Sequence, residues 1–260
     1  MGNRKYSNKG VNSARNAAPQ KKDNSTLIAT LIGAGLVLII IVSLLVALGV
    51  SNKGKDGNTT TTTEATTTTA EVETVVDMDA IEDEINSESV SSFVETDKTS
   101  EYVKITFKDY GDVVIRLRAD AAPITVANFQ KLVGQKFYDG LIMHRIIEDF
   151  MIQGGDATLS GGQDVESIKG EFYNNGVINN ISHVPGVISM ARTPANDSAS
   201  SQFFIVSGPN ALHLDGDYAA FGYVVAGLDV ITDIHVVDTD ANNKPLEDVV
   251  IEKICFVNKK

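Results

Sequence analysis

Few residues of this chain are grouped in a way that suggests covalent chemistry. The four histidines, His144, His183, His213 and His235, are widely spaced and form no H-E-x-x-H pair, so no metal site is expected. No G-x-S-x-G elbow occurs, and the Ser200-Ser201 pair has no evident base beside it. There is no Walker A loop, and Gly154-Gly155 lacks the rest of a dinucleotide fingerprint, so no cofactor is expected either. The single cysteine, Cys255, lies in an apolar stretch where a buried, inert thiol is the simplest reading.

What stands out instead is a set of apolar and aromatic segments with isolated polar groups among them. The first runs from Phe137 through Met143-His144-Arg145-Ile146-Ile147 to Phe150-Met151-Ile152-Gln153-Gly154-Gly155-Asp156. The second runs from Pro185 to Ala191 and on to Ser200-Ser201-Gln202-Phe203-Phe204-Ile205; the third is His213-Leu214-Asp215-Gly216, followed by Phe221-Gly222. By residue type alone, Phe150, Met151 and Phe204 read as ordinary core. Arg145 reads as a solvent-facing strand arginine, and Gln153 as an amide bonded to a loop backbone. Asp156 and Asp215, next to glycines, read as turn formers, and His144 as a hydrogen-bonded structural histidine.

The elements that must position these groups are mostly short strands. Val103, Ile105 and Phe107 alternate with polar neighbours, and after the Asp109-Tyr110-Gly111 turn Val113, Ile115 and Leu117 face one way and Arg116 and Arg118 the other. Pro123 to Val133 reads as a helix opened by proline, with Val126, Phe129 and Val133 on one side and Gly134 closing it. Apolar runs at 187–191, 203–206, 221–226 and 249–257 suggest further strands, separated by Gly-rich loops. Many short strands with one or two helices predict a closed barrel of about 160 residues.

The N-terminal two-fifths has a different character. The chain has 260 residues, with 22 Lys+Arg against 34 Asp+Glu, and its mean hydropathy of -0.01 averages a very apolar segment with a polar remainder. Residues 27–50 carry no charge, and as a helix would span roughly 36 Å, enough for a bilayer core of about 30 Å. The run is longer than a signal-peptide core, although Ala47-Leu48-Gly49 would suit cleavage before Val50; a retained transmembrane anchor is the expectation. Residues 1–26 form a basic segment with local charge +5, whereas residues 51–260 hold a balance of -17, so the N-terminus is expected in the cytoplasm and the remainder outside. Residues 51–100, Thr-rich and then acidic, are expected to be a solvated tether, with a short helix around 79–86 the one weak periodic signal. The Thr tract suits glycosylation or a plain spacer. A net charge of -12 argues against nucleic-acid partners.

H-R-I-I-x-x-F-M-I-Q-G-G-D from His144, with S-Q-F-F-I from Ser201, resembles the cyclophilin family of peptidyl-prolyl cis-trans isomerases, and the match runs from about Tyr102 to Val257. The resemblance implies a mainly β fold: an eight-stranded antiparallel closed barrel capped by two helices, the second near Leu228–Ile234, in a domain spanning 101–258. It implies that Arg145 is the catalytic arginine and that Phe150, Met151, Phe204 and Leu214 wall a proline pocket. Gln153 would help hold the substrate backbone, with Ala191 and Arg192 on the strand edge along which a peptide lies, and Gln202 would be a further substrate-binding residue. His213 stands at the pocket rim, where many eukaryotic members carry Trp and bacterial-type members often carry His. Tyr218 stands where many members have His. Proline-containing unfolded or flexible polypeptides are the implied partners, along with cyclosporin-like cyclic peptides.

The leading expectation is therefore a bacterial-type, membrane-anchored, outward-facing prolyl isomerase acting on exported or cell-surface proteins. Two other readings are a surface-displayed module that binds proline segments without turnover, and a protein whose functional part is a recruitment arm over residues 51–100.

Overall fold

A computed structural model describes residues 76–260; the basic segment, the apolar run 27–50 and the Thr tract lie outside the described residues. Among the described residues no helix is long and apolar enough to cross a membrane.

The described chain opens with helix α1 (Met78–Glu84), capped by the Asp77 carboxylate, which accepts from the N–H groups of Asp79 and Ala80 at 3.1 and 3.4 Å. Strand β1 (Phe93–Glu95) follows, then β2 (Tyr102–Phe107) and β3 (Gly111–Leu117), where the alternation read from the sequence holds, with Val103, Ile105 and Phe107 buried. Helix α2 (Pro123–Gly134) has Pro at its start and buries Val126, Phe129, Leu132 and Val133. Its first N–H groups are not left bare. The buried Glu171 carboxylate accepts from Ile124 N–H at 3.0 Å and Thr125 N–H at 2.8 Å. Strands β4 (Ile142–Ile147), β5 (Met151–Gly154), β6 (Val187–Met190), β7 (Phe203–Val206) and β8 (Ala220–Ala226) lead to helix α3 (Leu228–His235) and the long β9 (Val249–Lys259).

Neighbouring strands run in the order β1-β9-β2-β3-β8-β6-β7-β5-β4, and β4 pairs back onto β9, so β2 to β9 close an eight-stranded antiparallel barrel. Closure removes the open edges that a sheet of short strands would otherwise expose. Inside it, Ile152, Ile188, Phe203, Ile205 and Phe221 form one apolar cluster with Phe129 of α2 and Ile231 and Ile234 of α3. Alternate residues of the same strands, including Met151, Val187, Phe204, Val206 and Tyr223, form a second cluster on the outer wall. The two expected helices are α2 and α3.

The boundary expected at residue 100 differs from the structure, in which residues 76–100 belong to the folded unit. β1 adds a ninth strand to the C-terminal part of β9, with Phe93 facing Lys259 and Glu95 facing Val257. Between α1 and β1 the N–H groups of Asn86 and Glu88 donate to Val224 and Val225 carbonyls at 3.1 and 2.9 Å. Val76, Ile81 and Phe93 are buried. The acidic composition conceals these few apolar residues, because the acids face solvent or pair with Arg116, Lys104 and Lys253.

Candidate active site on the outer barrel wall

Four strands bring their outward side chains into one lateral row. Arg145 on β4 faces Gln153 on β5, Gln153 faces Phe204 on β7, and Phe204 faces Ser189 on β6. Simple alternation could not put Arg145 in this row, because Met143 and Ile146 are both interior. The register between β4 and β5 slips between Met143 and Arg145: Met143 faces Gly154, Arg145 faces Gln153, and His144 is left without a cross-strand partner. This bulge is the device that re-aims Arg145 outward.

His144, as the extra residue, does not behave as the sequence reading expects. Its Nδ1 is buried and makes no hydrogen bond among the described residues. Burial, assisted by the Arg145 charge, holds its pKa below the ordinary histidine value. It stays neutral at pH 7 and next to Arg145 adds no competing charge.

The row borders a cleft of about 300 Å³, lined by Arg145, Phe150, Met151, Gln153, Ala191, Arg192, Phe204, Leu214 and Tyr218. These are residues singled out from the sequence, brought together from three strands (β4, β5 and β7) and three connecting segments. His213 and Gln202 stand just beyond. The exposed His213 ring stacks on Phe150 with centroids 5.4 Å apart, extending that wall toward solvent. Gln202 lines an adjoining polar depression with Gln153, Ala191 and Arg192.

A chain of amides orders the polar side. Arg145 Nη1 donates to Gln153 Oε1 at 3.3 Å, Gln153 Nε2 donates to Gln202 Oε1 at 3.0 Å, and Gln202 Nε2 donates to Asp156 Oδ2 at 2.9 Å. Asp156 also caps a turn through Thr158 N–H at 3.0 Å, as its place beside Gly155 suggests. Gly155 is irreplaceable there: its φ is +84°, and a Cβ would lie 2.8 Å from the Ser201 carbonyl. Arg192 is held more tightly than Arg145. Its guanidinium lies over the Phe172 and Tyr218 rings at 4.9 and 4.7 Å, and its Nε donates to the Asp217 carbonyl at 2.7 Å. Among the described residues neither arginine forms an ion pair.

Asp215 does more than turn the chain. It accepts from the His183 backbone and ring and from Ser182, a set that outweighs the upward push of burial and holds its carboxyl below the usual range. Nothing in the sequence pairs these residues, which lie 32 positions apart.

Comparison with known proteins agrees with this geometry. The family model for cyclophilin-type peptidyl-prolyl cis-trans isomerases matches residues 102–255. The chain is 40% identical over 144 residues to peptidyl-prolyl cis-trans isomerase ppi1 of Schizosaccharomyces pombe, covering 55% of this chain and 91% of that protein. It is 39% identical to peptidyl-prolyl cis-trans isomerase cypE of Dictyostelium discoideum over 144 residues, covering 55% and 90%. A crystal structure of a Cryptosporidium parvum cyclophilin-type isomerase superposes with a TM-score of 0.55 at 26% identity, covering 62% of this chain and 98% of that one. A second structure of that protein, in the presence of the dipeptide Ala-Pro, gives 0.53 at 27% identity, covering 60% and 98%.

Proposed function

The chain belongs to the cyclophilin-type peptidyl-prolyl cis-trans isomerase family, and we propose that it accelerates rotation of Xaa-Pro bonds through Arg145 and the apolar cleft beside it. Rotation about a peptide bond faces a barrier of ~18–20 kcal/mol because resonance gives the C–N bond double-bond character. At proline both isomers are populated and exchange takes roughly 10–100 s. No bond has to break, so neither nucleophile nor titrating base is required. A catalyst must favour the twisted amide, whose nitrogen is pyramidal and carries a lone pair.

The observation that carries the proposal is the free guanidinium of Arg145 at the edge of an apolar slot. Always charged and with no acceptor of its own, it can donate to the proline nitrogen only once resonance is lost, and so favours the transition state over the ground state. Such a charge-assisted hydrogen bond contributes about 1.5–3 kcal/mol, whereas a five-decade acceleration needs about 7. Positioning and desolvation in the slot formed by Phe150, Met151, Phe204 and Leu214 must supply the balance. Gln153 and Gln202 present amide groups to the flanking backbone, and Ala191 and Arg192 offer it an edge.

The test compares the full-length chain with Arg145→Ala by exchange spectroscopy on an Xaa-Pro peptide. A roughly ten- to hundredfold drop in kcat/KM is expected from the lost charge-assisted bond. Equal rates would remove Arg145 from its role, and peptide affinity without acceleration in the wild type would make the protein a binding module.

The setting of the activity is also a proposal. The uncharged run over residues 27–50 behind a basic N-terminus supports a single-pass anchor with the barrel outside the cytoplasm, where exported and surface proteins would be its clients. External protease on intact cells should then remove the barrel; full protection would overturn this placement.

A further inference from the structure

The cleft holds a second guanidinium that the rotation step does not use. Arg192 follows β6 and borders both the cleft and the polar depression beside it. It is held without a carboxylate. Nε donates to the Asp217 carbonyl at 2.7 Å, and Nη1 donates to the Thr193 and Pro194 carbonyls at 3.0 and 3.4 Å. The buried Phe172 ring and the Tyr218 ring lie 4.9 and 4.7 Å from its central carbon. Nη2 has no hydrogen-bond partner among the described residues.

The acids around it are engaged elsewhere. Asp217 gives Arg192 its backbone oxygen, while its carboxylate accepts from Asn174 Nδ2 at 2.8 Å. Asp164, on the depression, accepts from Ser200 Oγ at 3.0 Å and from Val165 N–H at 2.8 Å. Asp156 accepts from Gln202 Nε2 at 2.9 Å. Carbonyls and ring faces fix the plane of the guanidinium without neutralising it. A positive charge and the Nη2 donors therefore remain for a group that enters the cleft, and a carboxylate complements both.

The two arginines stand apart along the row. Strands β7 and β5 lie between β6, which leads to Arg192, and β4, which bears Arg145. Three strand spacings amount to about 14 Å, and an extended peptide covers that in about four residues, fewer once the reach of two long side chains is counted. We propose that Arg192 is a specificity-determining residue that selects clients with Glu or Asp at the second or third residue from the proline. The proposal rests on the isomerase reading of the cleft. Arg145 faces the bond that turns, and Arg192 reads the charge of the chain that flanks it. The selection is local, because the chain as a whole carries a net charge of -12 and repels acidic polypeptides at long range.

The test uses the full-length chain and peptides that share one Xaa-Pro bond, with Glu, Gln or Lys at the second or third residue on either side of proline. At one of these positions kcat/KM should be about three- to tenfold higher for Glu than for Gln, with Lys lowest. Raising salt to about 1 M, where the screening length is about 3 Å, should bring the Glu/Gln ratio toward one. Arg192→Gln should bring it to about one at low salt, and Arg192→Lys should keep part of it. Each ratio compares two peptides on one protein, so a variant with lower overall activity still reports the preference. Equal rates for Glu and Gln at every position in the wild type would overturn the proposal, as would a preference that survives Arg192→Gln. Should Arg192→Gln fail to fold, the wild type decides by salt alone, and a preference unchanged at about 1 M overturns the proposal. Calorimetry with the same peptides separates the two readings. A wild type that accelerates no peptide ends the isomerase reading, while equal dissociation constants for the Glu and Gln peptides end the charge selection.

Discussion

Two faces of this barrel treat arginine in opposite ways. Where α1 crosses β3, Arg116 is fully engaged: Nη1 lies 3.0 and 2.8 Å from the two Glu84 oxygens, and Nε 3.1 Å from Glu101. Beside it Arg118 grips Asp120 through two bonds of 2.9 and 2.6 Å. In the cleft, Arg145 and Arg192 meet no carboxylate, only an amide oxygen, backbone carbonyls and aromatic faces. In a chain so rich in acid, unpaired guanidiniums in one cleft need a reason. A carboxylate partner would stabilise the fold locally but occupy the donors and offset the charge that a developing lone pair must feel. The seam uses arginine to hold the fold, and the cleft leaves it available.

The strongest way to break this comparison is to make the cleft resemble the seam. Gln153→Glu puts a carboxylate where the amide oxygen lies 3.3 Å from Arg145. The expected result is a loss of roughly ten- to hundredfold in kcat/KM, similar to removing Arg145, with stability unchanged or slightly higher. Gln153→Met, which removes the amide without adding charge, should cost much less. Equal losses in the two variants would mean that the amide chain, rather than the free charge, matters.

The converse change is smaller. Glu84→Gln leaves Arg116 with Glu101 alone and weakens the acceptor for Tyr223 Oη, now 2.6 Å away. Burial pushes the Glu84 carboxyl up, but Tyr223 and Arg116 outweigh it and hold it below its ordinary value, so the ionised form is the one the seam binds. Both partners are partly exposed, so the loss should be about 1 kcal/mol, read as a Tm roughly 2–4 °C lower. Isomerisation should be unaffected within about twofold. A large activity loss would show that the seam and the cleft are not separate.

Strand alternation made the barrel legible from the residues, because period-2 patterns survive wherever one face is interior. The cleft was legible through motif resemblance alone; by type Phe204 and Met151 are indistinguishable from core, since they sit on an apolar outer cluster. Three features had no local signal. The bulge at His144 is a register slip, which no residue type announces. The bonds from Asp215 to His183 join residues that only the closed sheet brings together. Residues 76–95 look like tether because acids and serines are scattered among the apolar side chains there without a regular period, although Ile81 and Phe93 suffice to dock them once β8 and β9 supply backbone partners.

The smallest effect concerns pH at the outer edge of the same segment. Glu95 on β1 lies 2.8 Å from Lys253 Nζ and 2.9 Å from Lys104 Nζ, and the Lys253 hydrogen bond, then that of Lys104, lowers its pKa from 4.5 to about 2. A carboxyl depressed on folding adds stability above its unfolded value and loses it as pH falls toward the folded one. The contribution of Glu95 should therefore be complete above about pH 4.5 and fade toward pH 2. Because the side chain is 49% exposed, solvent screening keeps it below about 1 kcal/mol. Denaturant melts of wild type and Glu95→Gln should differ by this small amount at pH 6 and converge near pH 2. Other depressed carboxyls, Asp120 and Asp215 among them, give both proteins a common acid slope, so the difference isolates Glu95. A constant offset across the range would show that β1 is held by its backbone pairing and by Phe93, with the lysine clamp contributing nothing.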